Sequence, residues 1–115
     1  MVSPTRAGVV LVRFPFSDLS RTKLRPAVVL ATVGRGDCLL CQITSRPYAD
    51  ETAIVLPSTA MASGTLQLTS YARPGKLFTG SQDLLIAEVG TLTPQAFAEI
   101  IDAVVRLLRD TKPSR

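Results

Sequence analysis

Turn signals cut the chain, as far as Val89, into pieces too short for anything but strands. Pro15 closes residues 8–14 (GVVLVRF), the turn GRGD at residues 34–37 ends residues 26–33, and Pro57 stops residues 52–56 (TAIVL). Each run is apolar and rich in β-branched residues, and each ends at a glycine or proline. That is the pattern of short β-strands. Residues 38–45 follow GRGD at once, so the second and third runs read as a hairpin. Residues 64–72 give a fifth strand, RPGK at 73–76 a turn before residues 77–79, and residues 84–89 a last short strand or helical turn. Five or six strands at this spacing predict a small, strongly bent barrel or sandwich.

The period then changes. In TLTPQAFAEIIDAVVRLLRD, residues 91–110, Phe97, Ile100, Ile101, Val104 and Leu108 recur on one helical face. Thr93 suits the N-cap and Pro94 the first helical position. Leu92 and Phe97 stand where a hydrophobic staple would pair them. Asp102 with Arg106, and Arg106 with Asp110, form four-residue charge pairs on the polar side. Residues 111–115 are expected to fray. With no repeat, linker or low-complexity stretch, residues 1–115 read as one mainly β domain closed by a C-terminal helix.

Hydrophobic residues make up 46% and charged ones 19%, a globular balance. A mean hydropathy of +0.27 is high for a chain with 5% aromatics. It points to an apolar surface held against a second copy. No apolar run approaches the ~20 residues that cross a bilayer. The start MVSPTRAG lacks the long apolar region of a signal peptide, so a cytoplasmic protein with no membrane association is expected. The net charge of +4 favours a polyanionic partner, RNA, DNA or an acidic protein segment, without choosing among them.

The two cysteines, Cys38 and Cys41, are three apart in a strand, which sends them to opposite faces where they cannot readily bridge. There is no second cysteine pair and no histidine, so a four-ligand zinc site cannot be built and buried packing is their expected role. Without histidine the chain also lacks the side chain that ordinarily titrates near neutrality. Any acid–base chemistry must use other groups.

Two stretches could carry chemistry. One is the polar loop, residues 17–25, in which Arg21, Lys23 and Arg25 fall on alternate positions; the other is QITSR, residues 42–46. Antiparallel pairing of the second and third strands sets Arg25 near Thr44 and Ser45. A guanidinium offers a rigid fork to two phosphate oxygens and a hydroxyl adds a short-range donor, so the pair suits phosphate. Plain structural readings stand beside this one. Arg25 is equally a solvated charge at a strand end with Pro26 guarding an edge, Thr44 and Ser45 are ordinary turn residues, and Arg21 and Lys23 are solvated loop cations.

The order GVVLVRFPFSDLSRTKLRPAVVL, then CQITS, then SYARPGKLF, resembles the MazF/PemK family of toxin–antitoxin ribonucleases over nearly the whole chain. The resemblance rests on Arg-Pro before an apolar run, an Ile-Thr-Ser strand end, a later Arg-x-x-Lys segment and a C-terminal helix. It implies a small SH3-like barrel that forms a homodimer and cuts single-stranded RNA at short motifs without a metal or other cofactor. It also implies a cognate antitoxin with an acidic disordered tail. The family's catalytic arginine maps onto Arg25 and its threonine or serine onto Thr44. Arg73 and Lys76 then fall near the dimer or RNA-facing surface. Where many members carry a Gly-Ser-Glu-Gln type loop, this chain has Ser20, Arg21, Thr22, Lys23 and Leu24.

On this reading Arg25 stabilises phosphoryl charge and Thr44 fixes a phosphoryl oxygen. Phe16 offers a stacking surface, and Ser20, Arg21, Lys23, Ser45, Arg73 and Lys76 contact the RNA. The base is unassigned, with Asp18 the loop carboxylate to consider. Two other readings remain open at this point: a CcdB-type gyrase poison, and an inactive barrel kept as an interaction module.

Overall fold

The structure, a computed structural model, describes residues 4–15, 22–47 and 49–110, with residues 14, 15, 22 and 23 described by backbone alone. Its strands are β1 (Gly8–Pro15), β2 (Thr22–Gly34), β3 (Asp37–Thr44), β4 (Ile54–Leu56), β5 (Met61–Gly64), β6 (Ser70–Ser81) and β7 (Leu85–Leu92), and one helix follows, α1 (Pro94–Arg109). Short 3-10 turns at Ser58–Ala60 and Gln82–Leu84 precede β5 and β7. The strands form one antiparallel sheet in the order β4-β6-β3-β2-β1-β7-β5, curled into a half-barrel.

The β2–β3 hairpin turns where GRGD predicts. Gly34, Arg35 and Gly36 have φ of 91°, 53° and 81°, a left-handed run in which the two glycines carry no steric cost and only Arg35 does. The other end of β2 differs from expectation. Residues 22–24, read from sequence as loop, are strand, and Lys23 pairs with Phe14. β1 runs on to Pro15 and offers a free flank, so pairing overrides the polar composition. Pro26 sits opposite Leu11, and the ladder with β3 begins only at Ala27 with Gln42. The missing donor therefore falls just outside the β2–β3 ladder.

RPGK is not a turn between two strands. Cys41 pairs with Leu77 and Ile43 with Ala72, so the single residue Gln42 faces residues 73–76 of β6. Proline and glycine mark a bulge here, and the strand continues on both sides of it. Pro74 is fully buried in that bulge. The predicted strand over residues 64–72 is also divided: β5 ends at Gly64 and β6 starts at Ser70.

Both faces of the sheet's centre are buried. Val9, Val28, Cys41 and Ile43 pack under Ile100 and Val104 of α1. Val10, Val12, Ala27, Val29, Cys38 and Leu40 form a second cluster. Cys38 and Cys41 thus lie on opposite faces, free and buried, as the strand period requires. Burial pushes the Cys41 thiol up to about 12, with Sγ donating to the Arg73 carbonyl at 3.2 Å, and burial also raises Cys38, helped by neighbouring Asp37. These are inert packing groups.

Thr93 caps α1 by accepting from the Ala96 N–H at 3.1 Å, and Pro94 opens it. Leu108, expected on the apolar face, is 72% exposed, and no described residue after Val104 is buried. The apolar stripe outlasts the surface available to cover it. No helix among the described residues is long and apolar enough to cross a membrane.

β5 and β7 approach so closely that only glycine fits. A Cβ on Gly90 would overlap the Ser63 carbonyl oxygen, and one on Gly64 would overlap the Val89 carbonyl oxygen. This crossing delivers the chain into residues 65–69, which wall the site described next.

Candidate active site

The open end of the β2–β3 hairpin carries the residues of interest. Continuing the Ala27–Gln42 register by two positions sets Arg25 across from Thr44. Both line a cleft of 450 Å³, together with Ser45. Arg25 is half-buried, Thr44 is 4% exposed and Ser45 is exposed.

Thr44 is held by its own turn. Its Oγ1 accepts from the Arg46 N–H at 3.1 Å and donates to the Arg46 carbonyl at 3.1 Å. This local ring terminates the strand, as threonine does at strand ends. It also fixes the hydroxyl oxygen in place beside the cleft and keeps Ser45 and Arg46 at the surface.

The second wall escaped the sequence reading. Residues 65–70 supply Leu66, Gln67, Leu68 and Ser70, and Ser70 Oγ donates to the Leu68 carbonyl at 2.9 Å, bracing the connection. Their period-2 alternation (TLQLTS) reads as strand, and only the β5–β7 crossing shows that they leave the sheet. No carboxylate among the described residues lines the cleft. Its chemistry is that of a fixed cation and hydroxyls above apolar walls, which suits an anion attached to something flat or greasy.

Arg73 and Lys76 lie elsewhere, lining a separate cleft with Asp50 and Thr52. Arg73 Nε donates to Asp50 Oδ2 at 2.8 Å, within an ion pair. Asp50 Oδ1 also accepts from Thr52 Oγ1 at 2.6 Å and from the Thr52 N–H at 2.9 Å. The Thr52 hydroxyl first, then Arg73, holds the Asp50 carboxyl down at about 2. A depressed carboxylate stabilises the fold above its unfolded value, near 4, and loses that contribution as pH falls toward 2. Asp50→Asn is therefore expected to lower stability by about 1–2 kcal/mol at pH 7 and by much less at pH 2.5. Urea unfolding at the two pH values measures it, and an equal loss at both would refute the assignment.

Lys23 is placed in β2 by its backbone, opposite Phe14. Phe16, Asp18, Ser20 and Arg21 lie outside the described residues.

A curled antiparallel sheet with one C-terminal helix, opening on an arginine–threonine cleft, is a small SH3-like barrel. Residues 5–108 match the family model of the PemK-like, MazF-like toxins of type II toxin–antitoxin systems, and the chain belongs to that family. No curated protein matches it in sequence. Solved structures match in fold. One is an endoribonuclease in complex with its cognate antitoxin from a mycobacterial species, with a TM-score of 0.72 and 19% identity over 96% of this chain and 100% of that one. Another is the MazE–MazF complex from Deinococcus radiodurans, at 0.73 and 17% over 91% and 95%. The Mycobacterium tuberculosis toxin MazF-mt6 matches at 0.69 and 13% over 88% and 95%.

Proposed function

We propose that this toxin is an endoribonuclease that cuts single-stranded RNA at a short sequence motif, through attack of the ribose 2′-hydroxyl and without a metal. The observation that carries it is the convergence of Arg25, Thr44 and Ser45 on one cleft lined by no described carboxylate. Family membership and the endoribonucleases among the structural neighbours support the same reading.

The 2′-hydroxyl gives its proton to water or to Asp18 as its oxygen attacks phosphorus, and the 5′-oxygen leaves and takes up a proton from water, giving a 2′,3′-cyclic phosphate and a 5′-hydroxyl. Arg25 is cationic and donor-only, so it stabilises charge on the phosphoryl oxygens and donates toward the leaving oxygen. At Thr44, the Arg46 N–H pins the oxygen while the O–H swings from the Arg46 carbonyl to a phosphoryl oxygen. Ser45 adds a second hydroxyl at the rim. Phe16, Ser20, Arg21 and Lys23 belong to the proposal as stacking and phosphate contacts, which makes RNA binding weaken with salt, and Asp18 belongs to it as the loop carboxylate to consider for the base. Arg73 is committed to Asp50, so Lys76 is the freer cation of that second cleft. The proposal extends to a homodimer in the cytoplasm, silenced by an antitoxin whose acidic tail occupies the basic groove.

Purified protein is expected to cut a long defined RNA at a recurring motif, at the same rate with and without chelator, leaving 5′-hydroxyl ends that polynucleotide kinase can label directly. Intact RNA together with stalled gyrase would overturn the reading, and 5′-phosphate ends would overturn the mechanism.

A further inference from the structure

Two leucines stand in solvent at the cleft: Leu24 from β2 is 43% exposed and Leu68 from the β5–β6 connection is 66% exposed. The same cleft is lined by Gln67, an exposed residue whose carboxamide makes no hydrogen bond to any described residue. Of the hydroxyls that line the cleft, Ser70 is engaged with the Leu68 carbonyl and Thr44 with Arg46, while Ser45 and Thr65 are exposed at its rim. A free group bearing both a donor and an acceptor thus sits among exposed apolar side chains, in the same cleft as Arg25.

We propose that this wall is a one-base slot, in which Leu24 and Leu68 cover the faces of a splayed base and Gln67 reads its edge. The inference rests on the endoribonuclease reading above. A nucleobase has apolar faces and a hydrogen-bonding rim, and single-stranded RNA is read by taking up such bases one at a time. The volume of 450 Å³ lies within the usual span of small-ligand sites, about 300–1,000 Å³. An apolar peptide side chain would satisfy the leucines but bury the Gln67 carboxamide without a partner, which is costly. Because Arg25 shares the cleft, the base read here is one adjoining the phosphate that Arg25 holds. Gln67 is then a specificity residue, distinct from the groups that act on phosphorus.

Cut sites on a long defined RNA should be profiled for the wild type, Gln67→Ala, Gln67→Glu and Leu68→Ala. Loss of one hydrogen bond predicts that Gln67→Ala relaxes base preference about tenfold at one position beside the cut, with turnover on the relaxed sites within a few-fold of wild type. Gln67→Glu, which only accepts, should favour bases presenting a donor there, and Leu68→Ala should raise KM without changing the motif. An unchanged motif in both Gln67 variants of a cleaving protein overturns the proposal. So does a Gln67→Ala variant that keeps the motif but loses inhibition by an acidic peptide, since the slot would then serve a protein side chain. If the wild type leaves RNA intact, the endoribonuclease reading falls and binding decides the slot. Heptamer RNAs varied at one position should then differ about tenfold in affinity, and Gln67→Ala should erase the spread; equal affinities, or none, overturn it.

Discussion

Arg25→Ala is expected to cut RNA about 10²–10³-fold more slowly than the parent protein while melting at nearly the same temperature. The size follows from removing one preorganised donor that faces developing charge. The unchanged melting follows from position. Arg25 lies beyond the last β2–β3 ladder pair, is only half-buried, and lines an open cleft and not a packed cluster. Arg25→Lys should recover only part of the rate, because an ammonium keeps the charge but not the two-pronged fork. Single-turnover cleavage of a short RNA carrying the mapped motif measures all three proteins. A folded Arg25→Ala with wild-type turnover would remove Arg25 from the chemistry and leave it a strand-end charge.

The part of the site that was legible in sequence is the part set by local pattern. GRGD between two β-branched runs specifies a hairpin, which brings Arg25 to the Thr44–Arg46 end of β3; carried unbroken from the turn its register would face Arg25 with Arg46, and two irregularities in the ladder shift the partner to Thr44. Cys38 and Cys41 follow from the same period-2 rule. Signals with two physical meanings were harder. Proline and glycine in RPGK announce a departure from regular pairing, but whether a turn or a bulge follows depends on β3 continuing past it. TLQLTS alternates like a strand, and it becomes a wall of the cleft because β5 crosses β7 just before it. The pairing of Arg73 with Asp50 joins positions 23 residues apart and has no local signature. What sequence could not supply was therefore contact between distant segments.

That crossing provides the second large effect: Gly90→Ala is expected to cost about 1–3 kcal/mol, lowering the melting temperature by roughly 5–12 °C. The added methyl would overlap the Ser63 carbonyl oxygen and crowd the Gly64 Cα, both backbone atoms that cannot swing aside. β5 must then move off β7. Gly75→Ala is the matched control, since the same methyl there meets only a Leu107 side-chain carbon at 3.9 Å, an ordinary contact; its cost should be near zero. The two substitutions also separate fold from function. Gly64 leads directly into Thr65 and the Gln67 wall, and Val89 lines the cleft beside Gly90. Shifting β5 therefore displaces the wall relative to Arg25. Misplacement of about 1 Å can cost on the order of 10²-fold in rate, so Gly90→Ala should cut RNA poorly even where circular dichroism shows it fully folded. Equal stability and activity in the two alanine variants would show that β5 yields without cost, and that the position of the wall does not govern the site.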